Sequence, residues 1–215
     1  MLKCNKQQKT EKLIINIIRK SGKMNREIEN LFEEWYAKQC RDENSIKSSF
    51  IYDGSLSNEK LDSHKILFVC RESRDKSEEM KKDFWFKNVV WGNVTGGGKY
   101  YNCMDMIAGY IDKDISLKEC AYMNINKKGG NSKCDFKALE KYAEKYRGFI
   151  TREIEILNPK CIVILGKLAA YGAKTSEEIF IEYGRKHNLD VYMYDRHPCV
   201  YSRDIEKHIY KIMIC

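Results

Sequence analysis

The chain has no apolar run approaching the ~20 residues that a membrane-spanning helix needs, and no membrane partner is expected. It has no Cys-x-x-Cys pair. Its nine cysteines stand singly, at Cys4, Cys40, Cys70, Cys103, Cys120, Cys134, Cys161, Cys199 and Cys215. Zinc and iron–sulfur sites draw on close cysteine pairs, so neither a metal nor another cofactor is expected. Cys70 and Cys161 lie inside apolar runs and read as buried thiols. Internal repeats, low-complexity tracts and a domain boundary are also missing, which leaves one domain over 1–215, long enough to bury a core. Met1-Leu2-Lys3-Cys4-Asn5-Lys6 leads into a polar stretch with no signal-peptide apolar core, so the expected location is the cytoplasm. Acidic residues fall short of basic ones, 31 against 39, for a net charge of +8. A surplus of that sign points to a polyanionic partner.

What is present is an alternation of apolar runs and helical periods. Lys65-Ile66-Leu67-Phe68-Val69-Cys70 is continuous and too short for a helix, as a central parallel strand covered on both faces would be. Ala121-Tyr122-Met123-Asn124-Ile125 is a second strand candidate. Cys161-Ile162-Val163-Ile164-Leu165-Gly166, introduced by Asn158-Pro159, is a third. Asp190-Val191-Tyr192-Met193-Tyr194-Asp195 is a fourth, with Pro198 forcing the chain out of it. Between them, Phe136, Leu139, Tyr142, Ala143, Tyr146, Phe149, Ile150, Ile154 and Leu157 follow a helical period over 135–157. Residues 167–187 look helical at their start and end. Residues 11–40 read as helix interrupted at Ser21-Gly22, and 41–63 as a polar loop; together 1–63 form an N-terminal helical extension packed on the domain. The expected fold is a three-layer α/β/α sandwich around a central, mostly parallel four-stranded sheet.

Ligands of such sheets bind outside the carboxyl ends of the strands. That rule selects Arg71-Glu72-Ser73, Asn124-Ile125-Asn126-Lys127-Lys128-Gly129-Gly130, Gly166-Lys167 and His197-Pro198. Three of these places carry polar groups able to hydrogen-bond a small planar ligand, and the fourth carries a glycine. Thr95-Gly96-Gly97-Gly98-Lys99 allows close backbone approach to a phosphate but lacks the Walker spacing.

These segments resemble the uracil-DNA glycosylase superfamily. Asn158-Pro159-Lys160 and the strand ending Leu165-Gly166-Lys167-Leu168-Ala169 are similar to its Pro-Lys-strand-Leu-Gly-x-x-Ala segment. Met123-Asn124-Ile125-Asn126-Lys127 looks like its Asn-apolar-x-Lys segment, and His197-Pro198-Cys199-Val200-Tyr201-Ser202 resembles its His-Pro-Ser-Pro-Leu-Ser loop. The likeness covers about 64–204, in the family's order. Two positions depart from it: Arg71-Glu72-Ser73 lacks the glycine and proline of the first motif, and Cys199 replaces a serine.

The resemblance implies a DNA glycosylase that hydrolyses the N-glycosidic bond of uracil or another modified or deaminated base, acting as a monomer without cofactor. Glu72 would position water, His197 would stabilise the departing base, and Asn124 would read its edge. Phe84 and Phe86 are the candidates for stacking on the flipped base. Tyr201 would fill the space that base vacates. Lys127, Lys128, Lys167, Ser202 and Arg203 would contact the DNA backbone. The alternatives are a non-catalytic protein of the same fold that binds nucleic acid or a modified base, and a glycosidase acting on free nucleosides or nucleotides.

Overall fold

A computed structural model describes residues 26–45, 48–57, 61–73, 80–81, 97–130, 133–196 and 204–213. The elements are α1 (Arg26–Asp42), β1 (Phe50–Ile51), β2 (Gly54–Ser55), β3 (Leu67–Glu72), β4 (Met80–Lys81), α2 (Gly97–Ile111), β5 (Ala121–Asn126), α3 (Phe136–Leu157), β6 (Cys161–Leu165), α4 (Lys174–His187), β7 (Asp190–Tyr194) and β8 (Ile209–Lys211). The main sheet has the order β2-β5-β3-β6-β7-β8. β5, β3, β6 and β7 run parallel, and β2 and β8 pair antiparallel at the two edges. β1 and β4 form a separate parallel pair.

The four expected strands are thus all present, but the sheet has six. The two additions are two and three residues long. Strands so short carry no readable alternation, and their extended form comes from pairing with β5 and β7 rather than from their own side chains.

Helices cover both faces. α1, α3 and α4 pack with Leu67, Val69, Met123, Ile125, Ile162 and Ile164 on one side. α2 packs with Phe68, Cys70, Tyr122, Val163 and Leu165 on the other. The central strands β3, β5 and β6 therefore bury both sets of alternating side chains, which is why β3 and β6 read as unbroken apolar runs. The thiols of Cys70 and Cys161 are buried, as their setting implied. Among the described residues no helix is long and apolar enough to cross a membrane.

α3 begins where Asp135 accepts backbone N–H bonds from Lys137 (3.0 Å) and Ala138 (3.1 Å), and stops at Asn158 in the left-handed region, φ 44°. Seven of the nine residues of the helical period are buried, Phe136 and Phe149 are partly so, and Glu153 is an addition. α1 packs into the core: Leu31, Phe32 and Trp35 are wholly buried, each contributing on the order of 1.5–3 kcal/mol. The polar-looking stretch that follows it also dips inside, with Phe50, Ile51, Tyr52 and Asp53 all buried.

Candidate functional site

The parallel strands fix where a site belongs. From β3 the chain moves to β5 on one side, then crosses back to β6 on the other. The connections leaving β3 and β6 diverge, and the carboxyl ends of strands so arranged are where such sheets take their ligands. Arg71 and Glu72 end β3, and Gly166, at φ 106°, follows β6.

Glu72 lies opposite Asn126 in register, and Asn126 Nδ2 donates to Glu72 Oε2 at 3.1 Å. The amide is held from its other end, because Lys128 N donates to Asn126 Oδ1 at 2.9 Å. The Cys134 thiol also bonds the carboxylate, and its own pKa is pushed up to about 12, first by burial and then by the Glu72 charge. Burial raises the Glu72 pKa above its ordinary value, opposed by the bonds from Asn126 and Cys134 and by the Arg71 charge. The result is a half-buried carboxyl group in a fixed orientation, biased toward holding a proton.

Gly130 explains the glycine pair that follows β5. A Cβ there would stand 2.5 Å from Glu72 Oε1, and Gly130 N donates to Ser73 O at 2.7 Å. The backbone lies directly on the carboxyl group, and a Cβ there would need Glu72 to move.

Asn124 sits one pleat deeper than Asn126, about 7 Å along the strand, opposite Cys70. It is 3% exposed. Asp53 Oδ2 accepts from its backbone N (2.6 Å) and from its Nδ2 (3.3 Å), while the Tyr122 hydroxyl donates to its Oδ1 (3.0 Å). These bonds fix the amide and leave one donor hydrogen and one acceptor lone pair for a ligand.

The remaining expected contacts fare differently. Lys127 is not at the surface: it is 0% exposed, its Nζ donates to Asp53 Oδ1 (2.5 Å) and Glu153 Oε1 (2.8 Å), and Phe32 and Trp35 flank it. Its ammonium cannot reach a phosphate, because a lone charge leaving that setting would abandon two buried carboxyl groups. Burial pushes the Glu153 pKa well up, opposed by the charge of Lys127 beside it. Lys128 is at the rim, paired with Glu43 at 2.7 Å. Lys167 is exposed beyond β6, with Asp195 Oδ2 3.4 Å away. The first turn of α2 starts at Gly97, so part of the Gly96-Gly97-Gly98 run is helix. His197, Phe84, Phe86, Tyr201, Ser202 and Arg203 lie outside the described residues.

Three contributors were given no role by the sequence reading. Asn126 lay in a selected strand-end segment and shares the alternation of Asn124, which was a usable signal. Asp53 and Cys134 gave none, since their partners are 71 and 62 positions away in the chain. Among the described residues no group of three His, Cys, Asp or Glu is placed to hold a metal ion.

No protein-family model matches the chain, and no curated protein matches it.

Proposed function

We propose that the protein is a DNA glycosylase that hydrolyses the N-glycosidic bond of uracil or another modified or deaminated base. The observation that carries this reading is Glu72: a half-buried carboxyl group of raised pKa, oriented by Asn126, at the carboxyl end of the strand where the sheet changes direction.

In the reaction, the C1′–N bond breaks and its electron pair leaves with the base, while positive charge grows on the sugar. Water attacks C1′, and Glu72 takes the proton that water loses as the new C–O bond forms. A carboxyl group whose pKa is raised is the stronger base for that step. Asn124 offers its free donor and acceptor to one edge of a pyrimidine from the floor beneath Glu72. By resemblance, His197 donates to the base carbonyl as negative charge builds there. Phe84 and Phe86 stack on the base, and Tyr201 occupies its place in the helix. Lys128, Lys167, Ser202 and Arg203 hold the backbone, and Lys127 takes no part in that contact.

The test is a panel of oligonucleotides containing uracil, hypoxanthine, xanthine or a hydroxymethyl base, scored for abasic sites. The wild-type protein should release at least one of these bases. Glu72→Gln and His197→Ala should each lose about 10²-fold or more, the usual scale for a lost proton acceptor or charge-stabilising donor. No release from any member of the panel would sink the reading.

The absence of glycine and proline around Glu72 favours one second reading, a non-catalytic protein that binds a modified base. It predicts binding to a panel member with no abasic product.

A further inference from the structure

We propose that Arg71, Phe136 and Tyr171 form a platform on which an unpaired base of single-stranded DNA stacks, beside Glu72. The proposal deepens the DNA reading above and rests on it for the identity of the polyanion.

The three side chains come from the end of β3, the first residue of α3, and the turn that follows β6. Phe136 and Tyr171 stack with ring centroids 4.9 Å apart and 23° between planes. The Arg71 guanidinium lies 5.5 Å from the centre of the Phe136 ring. Stacks of this kind are ordinary inside a core, but this one ends at the surface, where Tyr171 is 64% exposed. Tyr101, Tyr110 and Tyr210 are exposed as well, but Tyr171 is the most open of these tyrosines and stands on a second ring, which leaves it surface on which a base can stack.

Tyr171 is held on a stiff support. Its backbone N–H donates to Leu168 O (3.1 Å), Ala173 N donates to the same carbonyl (3.0 Å), and Gly172 closes the turn at φ 87°. Leu168 and Ala173, on either side, are buried and anchor the turn to the core. A ring so mounted loses little freedom when something stacks on it.

The charge around the ladder selects the partner. Among the described residues Arg71 makes no hydrogen bond or ion pair, so its in-plane N–H groups are open to a phosphate while its face rests on Phe136. Lys133 and Lys137 are exposed nearby and make no ion pair among the described residues. Acids stand here too, but each is engaged: Asp135 accepts from two backbone N–H groups of α3, and Glu177 accepts from Ala169 N (2.9 Å) at the base of the Tyr171 turn. An aromatic face flanked by unpaired cations is the combination that binds single strands, whose bases expose both π-faces. In a duplex those faces are covered by neighbouring pairs, and Tyr171 would find only base edges and backbone.

The test measures fluorescence anisotropy of labelled dT12 and of a 12-base-pair duplex with the full chain in low salt. Tyr171→Ala should weaken dT12 binding at least about fivefold, the smallest effect expected from a lost base–aromatic stack. Tyr171→Phe should bind dT12 within about twofold of wild type, since stacking needs only the ring. Duplex binding should change less than dT12 binding in the alanine variant. Unchanged dT12 binding in Tyr171→Ala, or equal losses on dT12 and duplex, would overturn the platform, as would failure of the wild-type protein to bind dT12. Base release persisting with an unaffected Tyr171→Ala removes the platform and leaves the glycosylase. Ring-dependent dT12 binding with no release from any modified oligonucleotide does the reverse.

Discussion

At the scale of single residues, the site turns on one carboxyl group and the glycine that lies against it. Glu72 keeps its orientation only while Gly130 leaves room for it. The atoms a Cβ would strike are at the far end of a flexible side chain, so Glu72 can swing away at little steric cost. Gly130→Ala should therefore cost no more than the hydrogen bond from Asn126, about 0.5–1.5 kcal/mol, measured by urea denaturation. Base release should nevertheless fall about 10²-fold, and adding Glu72→Ala should lower it no further. A large stability loss with activity intact would show that the glycine serves packing alone.

The same carboxyl group gives stability a pH dependence of known sign. Burial raises its pKa in the fold above its value in the unfolded chain. The folded state therefore binds the proton more tightly, and the contribution of Glu72 is full below the unfolded pKa and lost as pH rises through the folded one. Glutamine cannot ionise but keeps an oxygen for the Asn126 N–H. The Tm of Glu72→Gln relative to wild type should thus rise between pH 4 and pH 8. A difference that stays flat over this range would mean that Glu72 has the same pKa folded and unfolded.

At the scale of elements, Lys127 ties together parts of the chain that are remote in sequence. Its partners are Asp53, just before β2, and Glu153, in α3, while the rings that flank it belong to α1. Lys127→Met leaves two carboxyl groups buried side by side with no cation, and should cost about 3–5 kcal/mol in denaturant unfolding. Adding Glu153→Gln leaves one buried carboxyl group without its cation instead of two, and should restore part of that loss. If the single variant is as stable as wild type, the triad holds nothing together.

These contacts also show what the sequence could disclose. Leu67–Cys70 and Cys161–Leu165 were legible as central strands because burial on both faces writes itself as an unbroken apolar run. The α3 period was legible because one helix face carries nearly all its buried residues. Lys127 was not legible: a lysine after a strand reads as surface until two distant carboxyl groups and two aromatic rings are folded around it. The pairing that makes Gly54–Ser55 and Ile209–Lys211 strands is likewise a property of their neighbours. For the site, position along the sheet was legible and occupancy was not. Asn124 was placed on the right strand, but its bonds to Asp53 and Tyr122 depend on contacts that no local pattern encodes.

At the scale of the whole molecule, a net charge of +8 does not say which cations a nucleic acid would meet. Many described cations are already matched: Lys38 with Asp42, Lys128 with Glu43, Arg152 with Glu34, Lys211 with Asp190. Such surface pairs add little stability, yet each keeps a carboxylate beside the cation and weakens its pull on a phosphate. Among the described residues, the open cations at the carboxyl end of the sheet are Arg71, Lys133 and Lys137, with Lys167 held only loosely at 3.4 Å. Each phosphate neutralised on a single strand adds ~0.7 to the salt slope, so about three to five contacts predict a slope of about −2 to −3.5 in log K against log salt. Lys167→Ala should make that slope shallower by about 0.7 and weaken all sequences alike, because a phosphate contact carries no base information. Titrations of dT12 between 50 and 200 mM salt decide the matter. A slope near zero would remove the polyanion as partner. One near −6 would mean that the whole charge surplus, and not this one face, makes the contact.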